Sequence, residues 1–216
     1  MGSKFPLGVS SSDLVRHNEY VEHPEAPIGK FTKYARPEHE RRFLLSRVPP
    51  GLCIQRAEID DRYLIGTRLR IRRTVETTAT GRTTLRKLTQ KIPSRDGAPG
   101  LTTNFYLNDA EYQELLSLRA VSLNKVRYRV PPLSVDVYSG ALAGLLMGEI
   151  EFETREEEKR FRLPTEAVAE VTLDVRFTGG RLALTQRPDL LAILADFGLE
   201  PVNASELATR PLSNRG

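Results

Sequence analysis

Charged and apolar residues alternate along several stretches of this chain, and that alternation is its main structural signal. A period of two sends successive side chains to opposite sides of a strand. Residues 38–45, Glu-His-Glu-Arg-Arg-Phe-Leu-Leu, open the series. As a strand they put Glu38, Glu40 and Arg42 on one side and His39, Arg41 and Phe43 on the other. Taken alone they read equally well as a solvated helix, since Pro37 suits a first helical position and Glu38/Arg42 an i,i+4 pair. Other stretches with the same alternation favour the strand: residues 62–72, 87–92, 125–130, 149–153 and 170–177. Residues 101–107 and 134–138 join them as strands, and 181–185 as a last short one.

Turn and helix signals fall between these runs. Residues 49–51, Pro-Pro-Gly, stop the opening stretch, and the Thr, Gly and Ala of residues 75–84 read as a hairpin loop. Asp96-Gly97 and Pro99-Gly100 mark another turn. Asn108 or Asp109 caps a helix through Tyr112, Leu115, Leu116 and Arg119, at helical spacing. The charge cluster at 155–160 reads as a solvated turn. Residues 188–197 form an apolar helix that Gly198 stops. Residues 1–36 lack apolar periodicity and read as an arm or loop, 37–200 as one domain, and 201–216 as a tail.

Composition narrows the class. The chain has 216 residues, 39% hydrophobic and 28% charged, which suits one globular domain with a core of its own. Cys53 is the only cysteine, so no intrachain disulfide forms and a reducing cytoplasm is the expected location. His17, His23, His39 and Cys53 lack zinc-site spacing. No apolar run is long enough to span a membrane. The net charge of +4 suits an anionic partner. Only 7% of residues are aromatic, and the basic rows lack the interleaved stacking rings of single-strand readers, so nucleic acid is an unlikely partner.

The charged faces ask for more than solvent. Arg68, Arg70 and Arg72 share one face, as do Lys125, Arg127 and Arg129, while Lys87 and Lys91 share a third and Glu149, Glu151 and Glu153 a fourth. For any single strand, charge facing water is the ordinary reading. Opposed rows of like charge, however, destabilise a sheet, and an outward design intersperses the signs. A closed antiparallel barrel, apolar outside under packed helices and charged within, resolves this if an anion lies between the basic rows. Arginine forks suit phosphate oxygens, and carboxylates are hard ligands for Mg²⁺ or Mn²⁺, so a metal-complexed polyphosphate fits the lumen. No Gly-rich phosphate loop is present.

The motifs resemble those of the CYTH superfamily, the triphosphate tunnel metalloenzymes. The family's Glu-x-Glu-x-Lys is matched by Glu38-His39-Glu40-Arg41-Arg42. The likeness continues through Tyr63-Leu64, Arg68-Leu69-Arg70, Leu88-Thr89-Gln90-Lys91 and Lys125-Val126-Arg127-Tyr128. It resumes at residues 136–140, 142–145, 149–152 and 170–177, covering in order 38 to about 185. The resemblance implies an α+β fold with a closed eight-stranded antiparallel β-barrel and helices packed outside. It implies hydrolysis of inorganic tripolyphosphate, or of an organic triphosphate such as thiamine triphosphate, with Mg²⁺ or Mn²⁺ as cofactor. A class-IV-type adenylate cyclase, or a catalytically weak module that binds polyphosphate or a nucleotide, are its alternatives. A homodimer is left open.

Carried over position by position, the resemblance makes Glu38, Glu40, Glu149 and Glu151 the metal-holding acids. Arg68, Arg70, Lys91, Arg127 and Arg176 become phosphate clamps, with Arg72 and Lys125 in the same rows. Arg42, Tyr63 and Asp136 become the catalytic group, Asp136 orienting a base or touching metal-bound water. Arg42 stands where the family has Lys, beside Tyr63. Arginine does not give up its proton in a protein, so a general-base role is excluded there and charge stabilisation remains.

Overall fold

The computed structural model describes residues 34–51, 53–92 and 100–203. Most of the expected N-terminal arm, the turn at 93–99 and most of the C-terminal tail lie outside the described residues. Ten strands form one antiparallel sheet: β1 (Arg36–Glu38), β2 (Glu40–Leu45), β3 (Gln55–Leu64), β4 (Leu69–Thr78), β5 (Gly81–Ile92), β6 (Gly100–Tyr106), β7 (Ala120–Val130), β8 (Leu133–Tyr138), β9 (Leu146–Glu151) and β10 (Ala167–Glu170). Their spatial order is β1-β6-β5-β4-β3-β7-β8-β9-β2-β10.

This sheet is not the closed eight-stranded barrel that the motifs implied. The opening run breaks at His39 into β1, which pairs with β6, and β2, which pairs with β9. The last strand is only four residues long and lies along β2. No ladder joins β1 to β10, so the hydrogen-bonded order stays open. Only His39 separates β1 from β2, however, so the covalent chain brings the two flanks of the sheet together. The sheet accordingly curls: Lys91 on β5 reaches Glu38 on β1 at 2.9 Å, and its charge acts on Glu149 on β9.

Several local expectations change for physical reasons. The threonine-rich segment expected to be a hairpin loop lies almost wholly in β4 and β5, because β-branched threonines suit strands; only Ala79 and Thr80 turn. Residues 62–72 divide into two strands around a turn in which Gly66 takes φ +73°. The charge cluster is a short helix, α2 (Arg155–Arg160), since Thr154 Oγ1 accepts from the Glu157 N–H at 3.2 Å and acids fill its first turn. The strand expected over 170–177 ends at Glu170 and gives way to a 3-10 turn at Val175–Phe177, where the Asp174 side chain accepts from the Arg176 N–H. Of residues 181–185, expected as a strand, the first two close the helix α3 (Gly179–Leu182) and the rest turn away from it.

The two helices read from periodicity are present, although the first stops at Leu115 and does not reach Arg119. The first, α1 (Asp109–Leu115), carries a reciprocal cap: Asn108 Oδ1 accepts from the Glu111 N–H at 2.9 Å, and Glu111 Oε2 accepts from the Asn108 N–H at 2.8 Å. The second, α4 (Arg187–Asp196), carries Pro188 in its first turn and ends before Gly198, at φ +65°.

Apolar packing sorts into an outside and an end. Tyr112 of α1 packs with Leu64, Ile71 and Leu88 on the outer face of the sheet. Phe43, Tyr128, Val130, Val135 and Leu146 form a second outer core. The third cluster is on the inner face: Leu44, Leu123, Tyr138 and Met147 meet Phe177, Leu182, Leu190 and Leu194. The C-terminal segment therefore plugs one end of the curled sheet, rather than lying wholly outside it. Burial of each such side chain contributes about 1.5–3 kcal/mol.

The plug fits closely at Tyr63. A Cβ added to Gly179 would lie 1.8 Å from the Tyr63 hydroxyl oxygen and 2.8 Å from its ring carbon. Gly179→Ala is expected to destabilise the protein by about 1–3 kcal/mol, as overpacking does. Adding Tyr63→Phe should restore part of that loss. Urea midpoints of the two single variants and the double variant test this, and simple additivity would contradict the contact.

Candidate functional site

Register sets out the inner face as rows across neighbouring strands. One row runs Leu123, Asp61, Arg72, Lys87, Tyr106 across β7, β3, β4, β5 and β6. The next runs Tyr63, Arg70, Thr89, Asn104. Beyond β7, Arg127 faces Asp136 and Lys125 faces Tyr138. On the far flank Glu40 faces Glu151, and Arg42 faces Glu149. Strand alternation alone therefore gathers nearly every expected site residue on one concave surface.

Asp61 anchors the basic wall. Its carboxylate is 1% exposed and takes two bonds from Arg72, Nε at 2.6 Å and an Nη at 2.7 Å. Arg70 Nε lies 3.4 Å from the same carboxylate, out of hydrogen-bond geometry, and stays buried without a partner. Lys87, beside Arg72, makes no ion pair among the described residues. Two guanidinium groups thus share one carboxylate, with the Lys87 ammonium in the adjoining position of the same row. Burial alone would raise the Asp61 pKa, but Arg70 and Arg72 outweigh it and bring it down from 3.8 to about 2. Burial and the same two arginines lower that of Lys87.

Asp136 anchors the second group. It is fully buried, ion-pairs closely with Lys125, and receives Arg127 through Nε at 2.6 Å and an Nη at 2.7 Å. Arg127 also pairs closely with Glu149, and Lys125 Nζ lies 3.9 Å from Glu149. Burial disfavours the Glu149 carboxylate, yet Arg127, Lys125, Lys91 and Arg72 together hold its pKa below the ordinary range.

The acidic wall is Glu38, Glu40, Glu149 and Glu151. Burial raises the Glu40 pKa first; Lys91 opposes it, and Glu149 and Glu38 add to it. These three carboxylates are thus near enough to repel one another, and their oxygens are of the type that Mg²⁺ or Mn²⁺ takes. Glu38 and Glu149 are meanwhile held by Lys91 and Arg127. Among the described residues no preformed group of three or more His, Cys, Asp or Glu has metal-site geometry. The donor chemistry fits a hard divalent ion; reaching it requires these carboxylates to turn from their cations.

Other expected residues sit differently. Arg42 spends its fork on the plug, one Nη donating to the Phe177 carbonyl at 2.6 Å and the other to the Thr172 carbonyl at 2.5 Å. Its Nε lies 3.7 Å from Glu40, buried and without a hydrogen bond. Tyr63 meets the same plug at Gly179, and burial raises its pKa, helped by Asp61 and opposed by Arg70 and Arg72. Arg176 pairs with Asp174 and Asp196, each at 2.8 Å, and lies over Phe177 and Phe197, so it braces the plug against itself. Arg68 precedes β4, where its carbonyl accepts from the Lys91 N–H at 3.3 Å; its side chain makes no ion pair among the described residues.

Asp61 and Lys87 were missing from the expected site, although both were recoverable. Asp61 lies two residues before Tyr63 and so shares its face. Lys87 keeps register with Thr89 and Lys91.

No family model matches the sequence, and no curated protein matches it. Among solved structures, the chain is similar to the crystal structure of the inorganic triphosphatase NE1496, with 22% identity over 69% of this chain and 96% of that one, at TM-score 0.46. A second structure of NE1496 gives 24% identity over 69% and 99%, also at 0.46. The PH1819 protein from Pyrococcus horikoshii OT3 gives 15% identity over 79% and 98%, at 0.39. No helix among the described residues is long and apolar enough to cross a membrane.

The Asp61 contribution has a defined pH window. A carboxyl with pKa 3.8 when unfolded and about 2 when folded stabilises the fold by about 2 kcal/mol above pH 4. That contribution falls as pH drops from about 4 toward 2, and is lost below. Asp61→Asn should cost about 3–5 kcal/mol at neutral pH, because Arg70 and Arg72 keep no buried counter-charge. It should also flatten the loss of stability between pH 4 and 2. Thermal melts of both proteins across that range provide the check; parallel curves would contradict the assignment.

Proposed function

We propose that the concave face binds a triphosphate and hydrolyses its terminal phosphoryl group with the aid of Mg²⁺ or Mn²⁺. The observation that carries this reading is the convergence of Arg70 and Arg72 on the single carboxylate of Asp61, with Lys87 beside Arg72 and no ion pair of its own among the described residues. A buried cation group short of counter-charge, with an orphan guanidinium N–H, is completed by an anion with several oxygens. Facing it, crowded carboxylates are completed by a cation. A metal-complexed polyphosphate supplies both charges in one ligand.

Phosphoryl transfer asks mainly for positioning and fixed charge. Arg70, Arg72 and Lys87, joined by Lys91, Lys125 and Arg127, would bind the phosphate oxygens. Asp61 and Asp136 would hold those cations in place. Asp136 already accepts from Lys125 and twice from Arg127, so its role is to position and not to take a proton. Tyr63, with its pKa raised by burial, stays protonated at neutral pH and so does not serve as a base. Glu40 and Glu149, with Glu38 and Glu151 beside them, would hold the divalent ion, which neutralises phosphate charge when bound. Water oxygen then bonds to the terminal phosphorus as the bridging P–O bond breaks; the water proton passes to phosphate oxygens and solvent, and orthophosphate and the diphosphate (or its ester) are released.

Arg42 would act through the plug. Its fork is committed to two backbone carbonyls, so its charge reaches the site only through Nε beside Glu40. Lysine, with one ammonium, could not make both carbonyl bonds in the same planar geometry.

The test is a panel of tripolyphosphate, thiamine triphosphate and ATP with Mg²⁺ or Mn²⁺. Orthophosphate release that stops on chelation is the expected result. Glu149→Gln should lower turnover at least a hundredfold while sparing metal-free tripolyphosphate binding, whereas Lys87→Ala should weaken that binding by about tenfold or more. Pyrophosphate with a cyclic nucleotide would instead indicate a cyclase. Binding without turnover would indicate a binding module. Release insensitive to chelation would contradict the role given to the acids.

A further inference from the structure

The row through Asp61, Arg72 and Lys87 ends on Tyr106, an aromatic residue that the triphosphate reading does not use. Tyr106 is the direct cross-strand partner of Lys87, so its ring rises from the same face as the basic wall. It is 70% exposed, unusual for a large ring on the concave side of a sheet. Among the described residues, the wall also thins beside it. Strand β1 covers β6 only from Gly100 to Thr102, leaving Thr103 to Tyr106 without a ladder on that edge.

The other inward residues of β6 are engaged or small. Thr89 Oγ1 donates to Asn104 Oδ1 at 2.7 Å, and Thr102 lies beside Lys91. Phe105, also exposed, points to the other face, so Tyr106 is the one inward position of this strand that carries a ring. It stands one strand spacing from Lys87, a cation without an ion pair among the described residues. A phosphate held by Lys87 and Arg72 would therefore leave its ester substituent over or beside that ring.

Resting on the triphosphate reading above, we propose that Tyr106 forms a stacking subsite for a flat heteroaromatic group, making the ligand an organic triphosphate rather than inorganic tripolyphosphate. The ring face is sequence-tolerant in what it accepts, so a purine base and a smaller heterocycle share this chemistry. Lys87 and Arg72 fix the phosphate end, and Tyr106 selects what that end carries.

Calorimetric titration in magnesium buffer tests this with ATP and methyl triphosphate, which carry the same charge but differ in the ring. The wild-type protein should bind ATP on the order of tenfold more tightly than methyl triphosphate. Tyr106→Ala should erase most of that ratio, and Tyr106→Phe should keep it, because the ring face and not the hydroxyl makes the contact. Thiamine triphosphate, run alongside, shows which heterocycle gains more. A ratio near one in the wild type, or a ratio that survives Tyr106→Ala, would overturn the subsite while leaving triphosphate binding intact. Failure of both compounds and of tripolyphosphate to bind the wild type would overturn the triphosphate reading itself.

Discussion

The repulsion among inward-pointing cations is the constraint on which the rest of the structure depends. Strand alternation puts Arg70, Arg72, Lys87 and Lys91 on one face, and Lys125 and Arg127 join them from β7 on the other side of β3. Two buried carboxylates, Asp61 and Asp136, hold this group together, each ion-paired with more than one cation. Removing either would leave buried positive charge uncompensated, which costs several kcal/mol. Leaving Arg70 Nε without a hydrogen bond is a smaller cost of the same kind.

The plug gives that interior a dry end. Phe177, Leu182, Leu190 and Leu194 cover Leu44, Leu123 and Met147, excluding water from one side of the charged group. Low local dielectric strengthens every ion pair beside it. Arg42 ties the plug to β2 through the carbonyls of Thr172 and Phe177, and the backbone agrees, with the Val171 N–H donating to the Arg42 carbonyl at 2.8 Å. An arginine at this position is thus explained by a planar fork meeting two carbonyls. Tyr63 meets the plug as well, at Gly179, so Tyr63 and Arg42 are both linked to the site and to its closure.

Much of this was legible in the sequence, because a two-residue period is strict. The inward positions of β4, β5, β7 and β9 follow from alternation, and so does their opposition of basic and acidic walls. Closure was not legible: whether residues 36–45 pair as one strand or two depends on a break at His39 that no local propensity marks. The role of Arg42 was hidden for a similar reason, since its partners are backbone carbonyls about 130 residues away. The shift of residues 171–185 from strand to turn and helix reflects tertiary packing over propensity: Phe177 and Leu182 are needed at the sheet's end. Arg176 went with them, to the outside of the plug.

The central claim is that the inner face is completed by a polyphosphate. Its most direct measurement is the melting temperature in tripolyphosphate against sulfate at matched ionic strength, with and without Mg²⁺. Tripolyphosphate at a hundred times its dissociation constant should stabilise the fold by about 2.7 kcal/mol. Sulfate should do less, because it spans fewer of Arg70, Arg72, Lys87, Lys91 and Arg127. A melting temperature indifferent to tripolyphosphate under both conditions would contradict the account.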